Sequence, residues 1–199
     1  MLQHLEKLKE EKKSRMERAG DWFVNTLNPS LESNCNTSFN FEIGCGHGHW
    51  LTSYAIKKPR ENFVGIDLIS KRIEKANSKV EKRNLSNVCF YKAEANEFLE
   101  FCDFELSNTF IMYPDPWPKK RHFKRRLIQF PFLELVAKKT LLGGKLYFMT
   151  DHNEYFLWSR TMVSDSKYWE LTEEKWPHEE ISYFQNMLPS NQFFCASRV

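Results

Sequence analysis

A chain of 199 residues that is 41% hydrophobic and 15% aromatic can bury one core and is too apolar to be disordered. Its five scattered cysteines form no C-x-x-C pair, which argues against a disulfide framework or a zinc site, so no metal is expected. Net charge is only +3, yet residues 119–126 hold six Lys or Arg, while residues 151–199 hold eight acids against four bases. Such local density reads either as a polyanion-facing patch or as a solvated helix face.

The first twenty residues are charged and lack the apolar centre of a secretory signal. Helical composition, with Leu2, Leu5, Leu8 and Met16 on a rough stripe, predicts a helix or frayed arm. Residues 27–38, rich in Asn, Ser and Pro, read as a loop. Strands and helices then alternate. "FNFEI" (39–43) is a buried strand, "GHWLTSYAIKK" (48–58) a helix and "NFVGIDL" (62–68) a second strand. The helix at 70–84 takes Ser70 as its N-cap, with Ile73, Ala76 and Val80 on one stripe. "NVCFYKA" (87–93) is a strand, "ANEFLEFC" (95–102) a short helix and "SNTFIMY" (107–113) a fourth strand. A helix is predicted over 125–141 with Pro131 inside it, then a glycine turn and strand over 143–150, then a helix over 153–164. Residues 167–174 and 191–199 have strand character with no helix between them, which suits an antiparallel pair at a sheet edge. The fold class predicted is α/β: a doubly wound, mostly parallel sheet with an antiparallel C-terminal edge strand. One domain is expected, with 1–38 as arm and loop and 39–199 as core. No run approaches the length of an apolar membrane span, and a cytoplasmic protein is the default expectation.

Gly44, Gly46 and Gly48 form G-x-G-x-G at the first strand-to-helix junction, where a ligand can approach bare backbone. A dinucleotide fingerprint would place its third glycine one residue later. Glu42, on the strand before the turn, would repel a pyrophosphate and suit a cationic amino group. S-adenosylmethionine carries such a group and no phosphate. Asp67 ends the second strand, where an acid can accept both ribose hydroxyls. Glu94 follows the third strand, at the adenine edge or simply at a helix N-terminus.

After the fourth strand comes "PDPWPKKRHFKRR" (114–126). This block, with "FEIGCGHGHW", "NFVGIDL", "LLGGKLYFMTD" and Tyr155 four residues after Asp151, resembles the bacterial tRNA (guanine-N7)-methyltransferases over roughly residues 39–160. The resemblance implies a Rossmann-like class I methyltransferase fold, with 39–199 as the catalytic core. It implies methyl transfer from S-adenosylmethionine to N7 of guanosine 46 in the tRNA variable loop, with S-adenosylhomocysteine as product. It implies that Glu42, Asp67, Glu94 and Asp115 contact the donor, that Asp115 is catalytic, and that Lys119 and Asp151 lie on the substrate side. In two places the chain departs from the family pattern. Glu94 stands where the family usually has aspartate, and the late Thr-Lys-Phe-Glu motif is matched by "SYFQ" (182–185), in which Ser182 keeps the hydroxyl.

Pro114, Pro116 and Pro118 fix φ at alternate positions and stiffen the turn that bears Asp115. Trp117 either stacks on an exposed base or packs beneath the loop. Lys119, Arg121, Lys124, Arg125 and Arg126 are candidates for phosphate contacts, and some of them must pack their stems on the protein instead. Asp151 is read either as a second catalytic acid or as a helix cap. Competing readings are a class I methyltransferase acting on another nucleobase, a tRNA-binding homologue with altered activity, and a nicotinamide dehydrogenase. A monomer and a homodimer are both compatible with the sequence.

Overall fold

The computed structural model describes residues 2–22, 25, 37–101, 104–179 and 191–199. In chain order these form α1 (Leu2–Trp22), β1 (Ser38–Ile43), α2 (His49–Lys57), β2 (Asn62–Asp67), α3 (Ser70–Lys82), β3 (Val88–Lys92), α4 (Ala95–Phe101) and β4 (Glu105–Met112). A 3-10 turn (Lys120–Arg125) leads to α5 (Phe130–Lys139), β5 (Thr140–Thr150), α6 (Asn153–Ser164), β6 (Trp169–Thr172) and β7 (Gln192–Arg198).

The strands make one sheet in the order β3-β2-β1-β4-β5-β7-β6. The first five run parallel, and β7 pairs antiparallel with both β5 and β6. The predicted antiparallel pair is therefore present, but the last strand lies second from the edge and β6 forms the edge itself. Parallel strands covered on both faces must be apolar on both, and β1 and β2 are buried along their whole length. Alternating side chains feed two cores. Phe41, Ile43, Val64, Ile111 and Phe148 meet Leu133 and Val136 of α5 on one face. Phe63, Phe90, Phe110 and Tyr147 meet Trp50, Leu51 and Tyr54 of α2 on the other.

Three local predictions are corrected. Ile69, not Ser70, is the N-cap of α3, and the Asp67 carboxylate accepts from the Ile69 N–H at 2.8 Å. The predicted 125–141 helix starts only at Phe130. Pro131 takes its second position, where a missing N–H costs no intrahelical bond, and Gln129 before it is extended. At the other end the chain turns straight into β5 at Thr140 rather than at Gly143. The register explains the difference: Thr140 pairs with Leu106 and Lys145 with Asn108, so Leu141–Gly144 bulge out of the ladder. Leu142 on the bulge is 80% exposed.

Of the helix and the frayed arm that the sequence allows for the first twenty residues, a helix forms, and it runs on to Trp22 with Met16 of the stripe half-buried. Leu8 is exposed, and the side chains of Leu2 and Leu5 lie outside the described residues. α1 docks on α4 through Lys12–Glu100 at 2.9 Å and a two-point Arg15–Glu97 pair at 2.8 and 2.9 Å. The rings of Trp22 and Tyr91 lie 4.6 Å apart at its end.

Candidate active site

Strand order reverses between β1 and β4, and the crevice beyond the carboxyl ends of these strands is where open α/β sheets bind ligands. Glu42 sits next to the end of β1, opposite Phe110 of β4, and is 4% exposed. Its Oε2 is buried and, among the described residues, without a hydrogen-bond partner. Burial, and then the nearby charge of Asp67, push its carboxyl up to about 8. A buried, unpartnered carboxylate is costly, so this site favours either a proton or a cationic ligand on Glu42.

The turn after Glu42 is fastened by Gly44 and Cys45, whose N–H groups both donate to Ile66 O at 2.9 Å. Gly46 has φ +55 with nothing within 4 Å of where a Cβ would stand, so the turn leaves open space on that side. Gly48 is confined instead: a Cβ there would lie 2.6 Å from the Phe90 ring and 2.8 Å from Ala76 Cβ, at φ +68. Gly48→Ala is expected to destabilise the protein by about 2–4 kcal/mol, combining overpacking with a left-handed backbone. Gly46→Ala bears the backbone cost alone, so denaturant midpoints should rank wild type, Gly46→Ala, Gly48→Ala in falling order.

The Asp67 carboxylate is a knot for the crevice. Oδ1 accepts from Ile69 N at 2.8 Å, while Oδ2 accepts from Gly46 N at 3.0 Å and from Arg72 Nη1 at 3.3 Å. Beside it, Leu68 and Ile69 expose apolar side chains. Glu94 caps α4: Oε2 accepts from Glu97 N and Oε1 from Asn96 Nδ2, each at 2.9 Å. It also lines a pocket of about 310 Å³ between α1 and the end of β3, together with Arg18, Met16, Tyr91 and Phe98.

The proline-rich stretch leaves β4 in a strained conformation. Tyr113 and Trp117 have φ of 50° and 43°, so two bulky left-handed residues bracket Pro114–Pro116. Each costs about 1–3 kcal/mol, which the surrounding structure must offset. Tyr113 is anchored at both ends, its N–H donating to Met149 O and its hydroxyl to Asn191 Oδ1, each at 2.8 Å. Asp115 is exposed and, among the described residues, takes part in no hydrogen bond or ion pair. Trp117 packs on the turn that follows: His122 lies edge-on at 5.7 Å, and the Arg125 guanidinium sits 5.0 Å over its ring.

The basic run divides. Lys119, Lys120, Arg121, Lys124 and Arg125 are exposed and form no ion pair among the described residues. Arg126 is instead 2% exposed, although the sequence groups it with the others. Asp151, just past β5, is exposed and is not the cap of α6. That cap is His152, whose Nδ1 accepts from Tyr155 N at 3.2 Å. Asp115 and Asp151 thus leave neighbouring parallel strands, β4 and β5, just beyond the Met112–Met149 pair. Ser182, with the rest of "SYFQ", lies outside the described residues.

Two features were missed in the sequence. Tyr155, noted only for its spacing from Asp151, is fully buried, and its hydroxyl accepts from Leu127 N at 3.1 Å and Ile128 N at 3.4 Å. Trp158 donates to Ile128 O at 3.2 Å. Together these bonds tie α6 to the segment after the basic turn. The only sequence signal is the spacing of Tyr155 and Trp158 along one helical face.

The model of a family described as "Putative methyltransferase" matches residues 36–191. A tRNA (guanine-N(7)-)-methyltransferase of Streptococcus mutans is 34% identical over 148 residues, which cover 74% of this chain and 69% of the relative. The chain belongs to the bacterial tRNA (guanine-N7)-methyltransferase family. A Wolbachia pipientis wMel member is 36% identical over 118 residues, covering 59% of this chain and 53% of the relative. The chain therefore spans between about half and about two-thirds of the length of such family members. Solved methyltransferases share the fold. An rRNA methylase from Streptococcus thermophilus superposes with TM-score 0.57 at 12% identity, covering 85% of this chain and 92% of that one. TrmN from Thermus thermophilus gives 0.60 at 15% identity, covering 86% and 48%. Among the described residues, no group of three His, Cys, Asp or Glu could hold a metal ion, and no helix is long and apolar enough to cross a membrane.

Proposed function

We propose that this protein transfers a methyl group from S-adenosylmethionine to N7 of a guanosine in tRNA, which in the family pattern is guanosine 46 of the variable loop. The observation that carries the reading is the buried, orphaned Oε2 of Glu42 beside a glycine turn with open space at Gly46. A cationic amino group with no phosphate fits that pair, and a pyrophosphate does not. The donor supplies a methyl group made electrophilic by its sulfonium.

In this reading Glu42 takes the donor's ammonium, the Gly44–Gly48 turn its aminoacyl backbone, and Asp67 its ribose hydroxyls, sharing oxygens that already hold the crevice together. Leu68 and Ile69 offer apolar flanks for a flat base, and Glu94 stands at the adenine edge as an acid that also caps α4. The N7 lone pair of guanine lies in the ring plane, so attack needs no prior deprotonation and no strong base. The site must align the reacting atoms, which contributes roughly 7–11 kcal/mol in favourable cases. It must also stabilise positive charge growing on the base. Asp115, exposed on its stiff turn and unpaired among the described residues, serves both needs by accepting from guanine N1–H and N2–H, which become stronger donors as N7 is alkylated. Asp151 is the second acid on the same side. Lys119, Arg121, Lys124 and Arg125 neutralise phosphates, with Trp117 backing Arg125 rather than standing free to stack. Such a reaction belongs in the cytoplasm, where tRNA and the donor are found together.

The test is incubation with unmodified tRNA and methyl-labelled donor, followed by nucleoside digestion and mapping of 7-methylguanosine by chemical cleavage. Label at N7 of the variable-loop guanosine is the expected result. Label on an exocyclic amine, or tight tRNA binding without product, overturns the reading.

A further inference from the structure

The last arginine of the basic run is built into the protein rather than offered to a partner. The Arg126 side chain has no exposed surface, although it stands beside the exposed Arg125. Its guanidinium carbon lies 3.6 Å from the centroid of Phe123, 5.1 Å from that of Tyr155 and 5.3 Å from that of Trp158. Nε donates to Pro116 O at 2.9 Å, and Nη2 pairs with Glu154 Oε1 at 3.2 Å. Nη1 is buried without a hydrogen-bond partner among the described residues. Among the described residues one carboxylate, that of the half-exposed Glu154, pairs with this guanidinium, and such a pair adds little net stability once desolvation is counted. Its aromatic cage and its bond to Pro116 give it a fixed orientation.

That bond falls on the residue after Asp115. The turn has few donors of its own, because Pro114, Pro116 and Pro118 carry no N–H, and it contains the two left-handed residues Tyr113 and Trp117. Arg126 supplies a charge-assisted donor from outside the turn. The other end of the side chain reaches Glu154, Tyr155 and Trp158 of α6, the helix that begins two residues after Asp151. The Arg126 side chain thus links the turn that bears Asp115 to the helix that follows Asp151.

We propose that Arg126 is a positioning residue for methyl transfer. It acts as a strut that holds the Pro116 carbonyl, and through it Asp115, at a set place relative to α6, and it makes no contact with RNA. The catalytic part of this proposal rests on the function proposed above. The strut itself does not.

Arg126→Lys keeps the charge and loses the planar fork, and Arg125→Ala removes the exposed neighbour. For Arg126→Lys, kcat for tRNA methylation should fall by about a hundredfold, the scale of an ångström's misplacement. Its KM for tRNA and the salt slope of tRNA binding should stay near those of wild type. Arg125→Ala should instead reduce the salt slope of tRNA binding by about one. Hydrogen exchange of the amides in 113–127, read by mass spectrometry, should rise in Arg126→Lys and not in Lys124→Ala, whose side chain is exposed on the same turn. If Arg126→Lys does not fold, Phe123→Leu, which removes the nearest face of the cage, should give a smaller kcat loss with the same unchanged salt slope. A weakened tRNA affinity with intact kcat in Arg126→Lys would make Arg126 an RNA contact and overturn the proposal. Unchanged exchange in 113–127, or unchanged kcat in Phe123→Leu where that variant stands in, overturns it as well. Wild-type protein that does not methylate tRNA sinks the function reading instead, and the exchange measurement then decides the strut separately.

Discussion

Replacing Asp115 by asparagine is expected to lower the single-turnover rate of tRNA methylation by about a hundred- to a thousandfold, the usual scale for losing one preorganised electrostatic contact to the transition state. The fold should hardly notice. The side chain is exposed and has no hydrogen bond or ion pair among the described residues, and surface changes of that kind stay within about 0.5 kcal/mol. Affinity for S-adenosylhomocysteine, measured by titration, should change only a few-fold, because Glu42, Asp67 and the glycine turn remain intact. A rate loss without a loss of stability or donor affinity therefore reports chemistry. Full activity in Asp115→Asn would remove the acid from the reaction. Asp151→Asn is the natural companion, and a larger loss there would exchange the two assignments.

The second large effect concerns protons. Burial and Asp67 push the Glu42 carboxyl up to about 8, so near pH 7 the empty site holds it mostly protonated. A ligand ammonium favours the charged form, so binding should release close to one proton at that pH. Calorimetry of S-adenosylhomocysteine binding in two buffers of different ionisation enthalpy measures this directly. Affinity should rise about tenfold per pH unit from pH 6 towards 8 and then level off. Glu42→Gln should bind more weakly, release no proton and lose that pH dependence. The sign for stability is opposite. Because the folded value lies above the ordinary 4.5, the contribution from Glu42 is fully present below that pH and is lost as pH rises through about 8. Thermal melts of the ligand-free protein should show this decline, and Glu42→Gln should lack it. Proton release that persists in Glu42→Gln would point to another group.

What the sequence revealed and what it hid divide by range. The glycine turn, Glu42, Asp67 and the alternation of strands with helices are local patterns, and each is found where its period and spacing place it. The start of α5 was misread because its helical pattern continues upstream of Pro131, while Arg126–Gln129 is held by tertiary bonds from Tyr155, Trp158 and to Pro116. Arg126 itself looks like its neighbours in a run of six cations. Nothing in the run says which one faces inward, because that depends on rings contributed by Phe123, Tyr155 and Trp158. The left-handed backbone at Trp117 was hidden for a related reason: a tryptophan carries no sequence preference for it, and the groups packed on its ring, His122 and Arg125, belong to the turn that follows.

The supports of the Asp115 turn have a kinetic consequence. They consist of a guanidinium, backbone carbonyls and amides, aromatic faces, and a tyrosine hydroxyl that burial pushes up to about 12. The guanidinium, the backbone groups and the tyrosine keep their charge near neutral pH, whereas Glu42 in the donor crevice does not. Acidification should therefore starve the reaction of methyl donor long before it disturbs the geometry of transfer, so a mildly acid medium supplemented with excess donor should recover the full rate.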